Sequence, residues 1–232
     1  PYVTGSGSEE KNMNLLADAL EPYLYANAIR FVRNTPEMTA ASSIAQANRL
    51  GGFDFYLALH SNAAAPDNSG NARGVLAFYY PTSTEGERAA KLFAAALRRI
   101  YPLPDLVRTV PTTTLGEVRR PKYPANLLEL GYHDNYADAA WLENNRDAIA
   151  RALARALTDY FGLPFVEPQS AVQGVVSTSG SPLRLRNYPS AAGETIALMP
   201  NGETVTVYGA WQGWNTVEYN GNLGYAAEAY IE

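Results

Sequence analysis

The 232-residue chain holds two histidines and no cysteine. His60 stands in "FDFYLALHSNAAAP" (53–66) and His133 in "NLLELGYHDN" (126–135), each where an apolar run gives way to polar residues. Such runs deliver acid–base or metal-ligand chemistry to the end of a buried element. Small residues after His60 (Ser61, Asn62, Ala63) leave room for a substrate or a metal. The plainer alternative is a hydrogen-bonded histidine capping a strand. Glu129 is flanked by Leu128 and Leu130. A carboxylate there must be paired, metal-bound or protonated, because burying it free is costly. With a raised pKa it has the character of a general base near neutral pH. Alternatively it faces solvent on an edge strand or pairs with Arg119 or Arg120. His133 follows Gly131 on a loop that either turns back toward Glu129 or faces solvent. Glu10 opens a helix, where the helix dipole alone favours an acid. A catalytic zinc site takes three protein ligands and a water whose pKa falls to about 7. His60, Glu10 and Glu129 are residue types suited to it, although their spacing is not a compact zinc motif.

The elements that must position these groups alternate between helix and strand. "SGSEEKNMNLLADALEPYL" carries Met13, Leu16, Leu20 and Leu24 at helical spacing, with Ser6 and Glu9 spaced as a capping box. "IRFV" (29–32) predicts a short strand, and "MTAASSIAQANRL" a helix ending at Gly51-Gly52. "FDFYLAL" (53–59), "GVLAFYY" (74–80) and "PANLLEL" (124–130) read as buried strands. "STEGERAAKLFAAALRRIY" and "DAAWLENNRDAIARALARALTDYF" read as amphipathic helices. This alternation predicts an α/β fold with a mostly parallel, twisted sheet flanked by helices. In such sheets, sites form beyond the carboxyl ends of strands.

Composition changes near residue 162. "GLPFVEPQSAVQG" (162–174) has the Pro and Gly content of a linker. Beyond it "PLRLRN", "ETVTVYG", "WNTVEYN" and "LGYAAEAYIE" are short strands separated by Gly, Asn and Pro, the pattern of a small all-β barrel. The expected division is therefore 1–162, a linker over 163–173, and 174–232.

Of the whole chain, 47% is hydrophobic and 18% charged, as in a globular protein, and the net charge of −5 argues against nucleic acid as the partner. No apolar stretch is long enough to span a bilayer. Without cysteine there are no disulfides and no thiolate metal sites. The opening "PYVTGSGSEE", with no initiator Met, reads as a processed or excised start, so a missing signal peptide is uninformative.

Taken in order, "EKNMNLLADAL", "YLALHSNAA", "RGVLAFYY" and "PANLLELGYHDN" resemble the zinc-dependent N-acetylmuramoyl-L-alanine amidases of bacterial cell-wall turnover, over about residues 9–160. The resemblance implies Glu10 and His60 as zinc ligands and Glu129 as catalytic base. The implied reaction is hydrolysis of the amide between N-acetylmuramic acid and L-alanine in peptidoglycan, by a secreted protein acting at the cell wall. The family's first zinc ligand is a histidine in a Gly-His-Gly turn, and this chain has none. His133, the remaining imidazole, is the expected third ligand, with its other ring nitrogen held by a backbone carbonyl or by Asp134. Asn62, Arg119 and Trp214 are candidate substrate contacts. The segment from Gly174 resembles a bacterial Src-homology-3-like wall-binding domain, with Trp211, Trp214, Tyr219 and Tyr225 as candidate stacking residues or, equally, core. Two alternatives stay open: a wall-binding protein with a degenerate amidase domain, and a zinc peptidase cutting elsewhere in the stem peptide.

Overall fold

The computed structural model describes residues 1–232, which divide into two compact units. The first comprises Pro1–Ala19 and Arg33–Tyr160, and the second Leu20–Val32 and Phe161–Glu232. In the first unit a four-stranded sheet has the order β1-β4-β2-β3, from β1 (Tyr56–Asn62), β2 (Val75–Tyr79), β3 (Val107–Pro111) and β4 (Ala125–Tyr132). The sheet is mostly parallel, as expected, with one antiparallel pair: β1 runs parallel to β4 and β2 to β3, while β2 is antiparallel to β4. β4 is central and buried along nearly its whole length, which is why "ANLLEL" shows no polar alternation. Asn126 is its one buried amide, and it donates to Phe78 O and Gly86 O.

The helices are α1 (Glu9–Ala26), α2 (Ala40–Leu50), α3 (Thr84–Arg98), α4 (Gly116–Arg119), α5 (Tyr136–Asn144) and α6 (Arg146–Phe161). α3 buries Ala89, Ala90, Phe93, Ala94 and Leu97, and α6 buries Ile149, Leu153 and Leu157. Each fully buried large apolar side chain contributes about 1.5–3 kcal/mol. The single long helix expected over 138–161 is broken at Asn145, whose side chain donates to Trp141 O and ends α5. α1 starts two residues later than the capping box implies. Ser8 Oγ, not Ser6, accepts from a first-turn amide (Lys11 N), while Ser6 Oγ takes the Asn12 amide. The segment 29–32 is irregular rather than a strand, and β3 has no counterpart among the strands expected from the sequence.

The second unit holds six antiparallel strands in the order β5-β8-β9-β10-β6-β7: β5 (Val172–Val175), β6 (Leu183–Arg186), β7 (Thr195–Met199), β8 (Thr204–Trp211), β9 (Trp214–Tyr219) and β10 (Asn222–Ala227). The expected barrel is an open sheet in its pairing, since β5 and β7 are its edges. β5 arises inside the stretch that reads as linker. The core gathers Val176, Leu183, Leu185, Met199, Val205, Val207, Val217 and Ala226.

Residues 20–32 join this unit through Asn27, which is fully buried. Its amide donates to Tyr23 O and Val166 O, its Oδ1 accepts from Val166 N, and its carbonyl accepts from Tyr225 Oη. Thr216 Oγ1 donates to the neighbouring Ala26 O. Asn27→Ala strands both backbone groups of Val166 without partners. It is expected to lower stability by about 2–4 kcal/mol, read as an earlier urea midpoint in the fluorescence of Trp211 and Trp214. An unchanged midpoint would remove Asn27 from this role.

Candidate active site

β1 and β4 run in register until His60 pairs with Glu129, and then the register shifts so that Asn62 meets Tyr132. β4 carries the extra residue, and Gly131 sits in this bulge at φ 147°, a conformation that side chains disfavour. The bulge turns "YHDN" back over the end of β1. There His133 N donates to Asn62 O, Asp134 accepts from Ala64 N, Ser69 Oγ and Gly70 N, and Asn135 caps α5 while its amide donates to Gly70 O. Hydrogen bonds to Ser69, Ala64 and Gly70 hold the Asp134 carboxyl below its ordinary range against the opposing effect of burial. Asp138, one turn into α5, is fully buried and ties the bulge to β2. It accepts from Tyr132 N, Gly74 N, Tyr101 Oη and Arg73 Nε.

His60 lies between two carboxylates: Nδ1 is 3.0 Å from Glu9 Oε1, and Nε2 is 3.0 Å from Glu117 Oε2. Glu9 Oε1 also accepts from Ser61 N at 3.0 Å. Burial would lower the His60 pKa, but Glu117 and Glu9 outweigh it and push it up to about 10. Burial would raise Glu9, yet hydrogen bonds from His60 and Ser61 hold it below the usual carboxylate range. Glu129 differs from its neighbours, because its Oε2 is buried with no hydrogen-bond partner. Burial pushes its pKa up to about 7; the charge of His60 pulls it down, while Glu9 and Glu117 push it further up.

The expected site residues are thus partly brought together. His60 and Glu129 are register partners. Glu10 is exposed, and it is the preceding residue, Glu9, whose carboxylate meets His60. His133 Nδ1 lies 3.0 Å from Ser61 O and 3.1 Å from Ser61 Oγ. A carbonyl only accepts, so Nδ1 carries the hydrogen. A backbone carbonyl therefore holds that nitrogen, and Asp134 is committed instead to the 64–70 loop. The imidazole stacks on Tyr2 at 5.4 Å between centroids. Asn62 Oδ1 accepts from Ala63 N at the end of β1, and Arg119 is exposed on α4. Trp214 belongs to the second unit, half-buried opposite Trp211 and Ala227 in the sheet. Tyr225 is fully buried and so is core rather than a stacking surface. Glu117 carries no signal in the sequence that marks it as a partner of His60. It lies in "TLGEVRR" on a four-residue helix, with no periodicity to single it out.

The donor set is a poor match to a catalytic zinc site. No group of three or more His, Asp or Glu side chains is placed to hold a metal ion. Glu9 and Glu117 address opposite nitrogens of one ring, and a ring that donates from both has no lone pair to offer.

The comparisons with known proteins agree with the fold. The family described as N-acetylmuramoyl-L-alanine amidase matches residues 3–159, and that described as bacterial SH3 domain matches 181–232. No curated protein matches this chain. Among solved structures, an N-acetylmuramoyl-L-alanine amidase from Clostridium difficile 630 is 17% identical with a TM-score of 0.59, over 69% of this chain and 87% of its own. The amidase AmiC2 of Nostoc punctiforme is 18% identical with a TM-score of 0.60, over 70% and 88%. The catalytic domain of the amidase CwlV from Bacillus (Paenibacillus) polymyxa is 21% identical with a TM-score of 0.56, over 69% and 89%. With the family match spanning the whole first sheet and every residue that surrounds His60, the chain belongs to the N-acetylmuramoyl-L-alanine amidases.

Proposed function

We propose that the chain hydrolyses the amide joining N-acetylmuramic acid to the first L-alanine of the peptidoglycan stem, at the cell wall outside the membrane. The observation that carries this reading is Glu129: a half-buried carboxylate with one buried, unpartnered oxygen, a pKa raised to about 7 and a cationic neighbour, in a chain of the amidase family. As base, it takes a proton from water as the water oxygen bonds to the amide carbon. It returns that proton to the nitrogen as the carbon–nitrogen bond breaks. Zinc is the metal that the resemblance implies for this chemistry. Because the donor set does not close around one, the proton transfers run through the protein's own side chains. No helix is long and apolar enough to cross a membrane. The bacterial SH3 match at 181–232 supports a wall-binding contribution from the second unit, with the half-buried Trp214 as its candidate contact.

The occupied nitrogens of His60 favour one competing reading, a wall-binding protein that does not cut. Incubation with soluble muropeptides and mass spectrometry separates the two. The expected products are a free muramoyl carboxylate and a peptide with a free L-alanine amino terminus, and Glu129→Gln should slow their release by about 10²–10⁴-fold. Scission elsewhere in the stem would make the protein a peptidase. Sedimentation with insoluble walls but no products would leave the binding reading.

A further inference from the structure

The residue that nothing in the family resemblance assigns is Glu117, and its contact decides what His60 is. Carboxylate oxygens only accept hydrogen bonds, so a ring with a carboxylate oxygen at 3.0 Å from each nitrogen donates from both. We propose that Glu117 is a positioning residue that fixes His60 as a doubly hydrogen-bonded cation between Glu9 and Glu117, so that this cation, and not a metal ion, supplies the positive charge beside Glu129.

The fold holds Glu117 in place independently of His60. Val118 packs with Ala58 and Leu127, joined by Tyr56, Phe78 and Leu115, which seats α4 on β1 and β4. Asn48 of α2 clamps the end of α4, donating to Arg120 O and accepting from Lys122 N. The Glu117 side chain is only 15% exposed, so its contact with Nε2 is shielded from water. The charged groups facing His60 are then Glu9 from α1, Glu117 from α4 and Glu129 from β4. One imidazolium among three carboxylates leaves the cluster short of positive charge.

A zinc-bound His60 reverses the expected behaviour. There, Glu117 would be an outer carboxylate on a ligating imidazole, and its loss would weaken zinc binding by about 10–100-fold. The inference rests on the hydrolase reading only for its kinetic arm, and the other two measurements stand without activity. In nitrogen-15 spectra of the full chain at pH 8, His60 should show two protonated ring nitrogens. In Glu117→Gln its titration midpoint should fall by about 1–3 pH units, with partial rescue in Glu117→Asp and unchanged circular dichroism. Titration with zinc chloride should leave the His60 nitrogens unshifted in both proteins. In the kinetic arm, Glu117→Gln should move the pH profile of turnover. An unmoved midpoint in Glu117→Gln would overturn the proposal. So would stoichiometric zinc that shifts His60 in the parent and binds 10–100-fold more weakly to Glu117→Gln.

Discussion

Replacing Asp138 with alanine should lower the stability of the first unit by about 3–5 kcal/mol, because several donors around a buried position lose their acceptor at once. The carboxylate is fully buried, and its four partners lie on three segments: Arg73 and Gly74 before β2, Tyr101 after α3, and Tyr132 at the bulge. Alanine leaves two backbone amides, a phenol and the guanidinium of Arg73 without their acceptor. Asparagine keeps the shape but presents an amide NH₂ to groups that are themselves donors, so it should recover little. Urea unfolding followed by far-ultraviolet circular dichroism reads the effect. A loss under 1 kcal/mol would mean that water or a rearranged loop satisfies these groups. The site should feel the change too, because Tyr132 and Gly131 set how "YHDN" folds over Ser61.

The second large effect has the opposite sign. Glu129→Gln should make the protein more stable above neutral pH while removing turnover. The folded-state pKa of Glu129 is raised from 4.5 to about 7, so its favourable contribution is present below about pH 4.5 and lost as pH rises through 7. A rise of that size corresponds to about 3 kcal/mol. Glutamine escapes this loss because it never ionises. The two proteins should therefore match near pH 4, and the variant should lead by on the order of 2–3 kcal/mol at pH 8. Unfolding midpoints at both pH values check it. Equal stability at pH 8 would show that the carboxylate is comfortably solvated, and the argument for Glu129 as base would lose its physical footing.

Much of this is visible in the sequence for a physical reason. α2, α3 and α6 show an apolar face at helical period with caps or breakers at their ends. β4 shows an unbroken apolar run because both of its faces are covered. His60 and Glu129 stand out because each interrupts such a run. What stays hidden depends on phase and on distance. Glu9 and Glu10 are chemically identical neighbours in one helical turn, and a residue's rotation about the axis decides which faces β1. α1 begins at Glu9, with Ser8 rather than Ser6 accepting from its first turn, and it is Glu9 that meets His60. Glu117 meets His60 across 57 residues from a helix too short to carry a period. β7 has four of its five residues exposed or half-exposed, and β5 three of its four exposed, so neither reads as a buried strand.

The place of Asn27 in the second unit has a consequence for how the protein is made. Its partner Val166 lies 139 residues further along the chain, and Tyr225, which reaches its carbonyl, lies 198 residues away. Contacts that distant form late and fold slowly, because the intervening chain must be ordered first. On a ribosome, Tyr23 and Leu24 emerge long before the surface that buries them exists. The first unit can close once α6 has been synthesised to Tyr160, whereas the second waits for β9 and β10. Through that interval the apolar end of α1 is the segment most open to chaperones and to wrong partners.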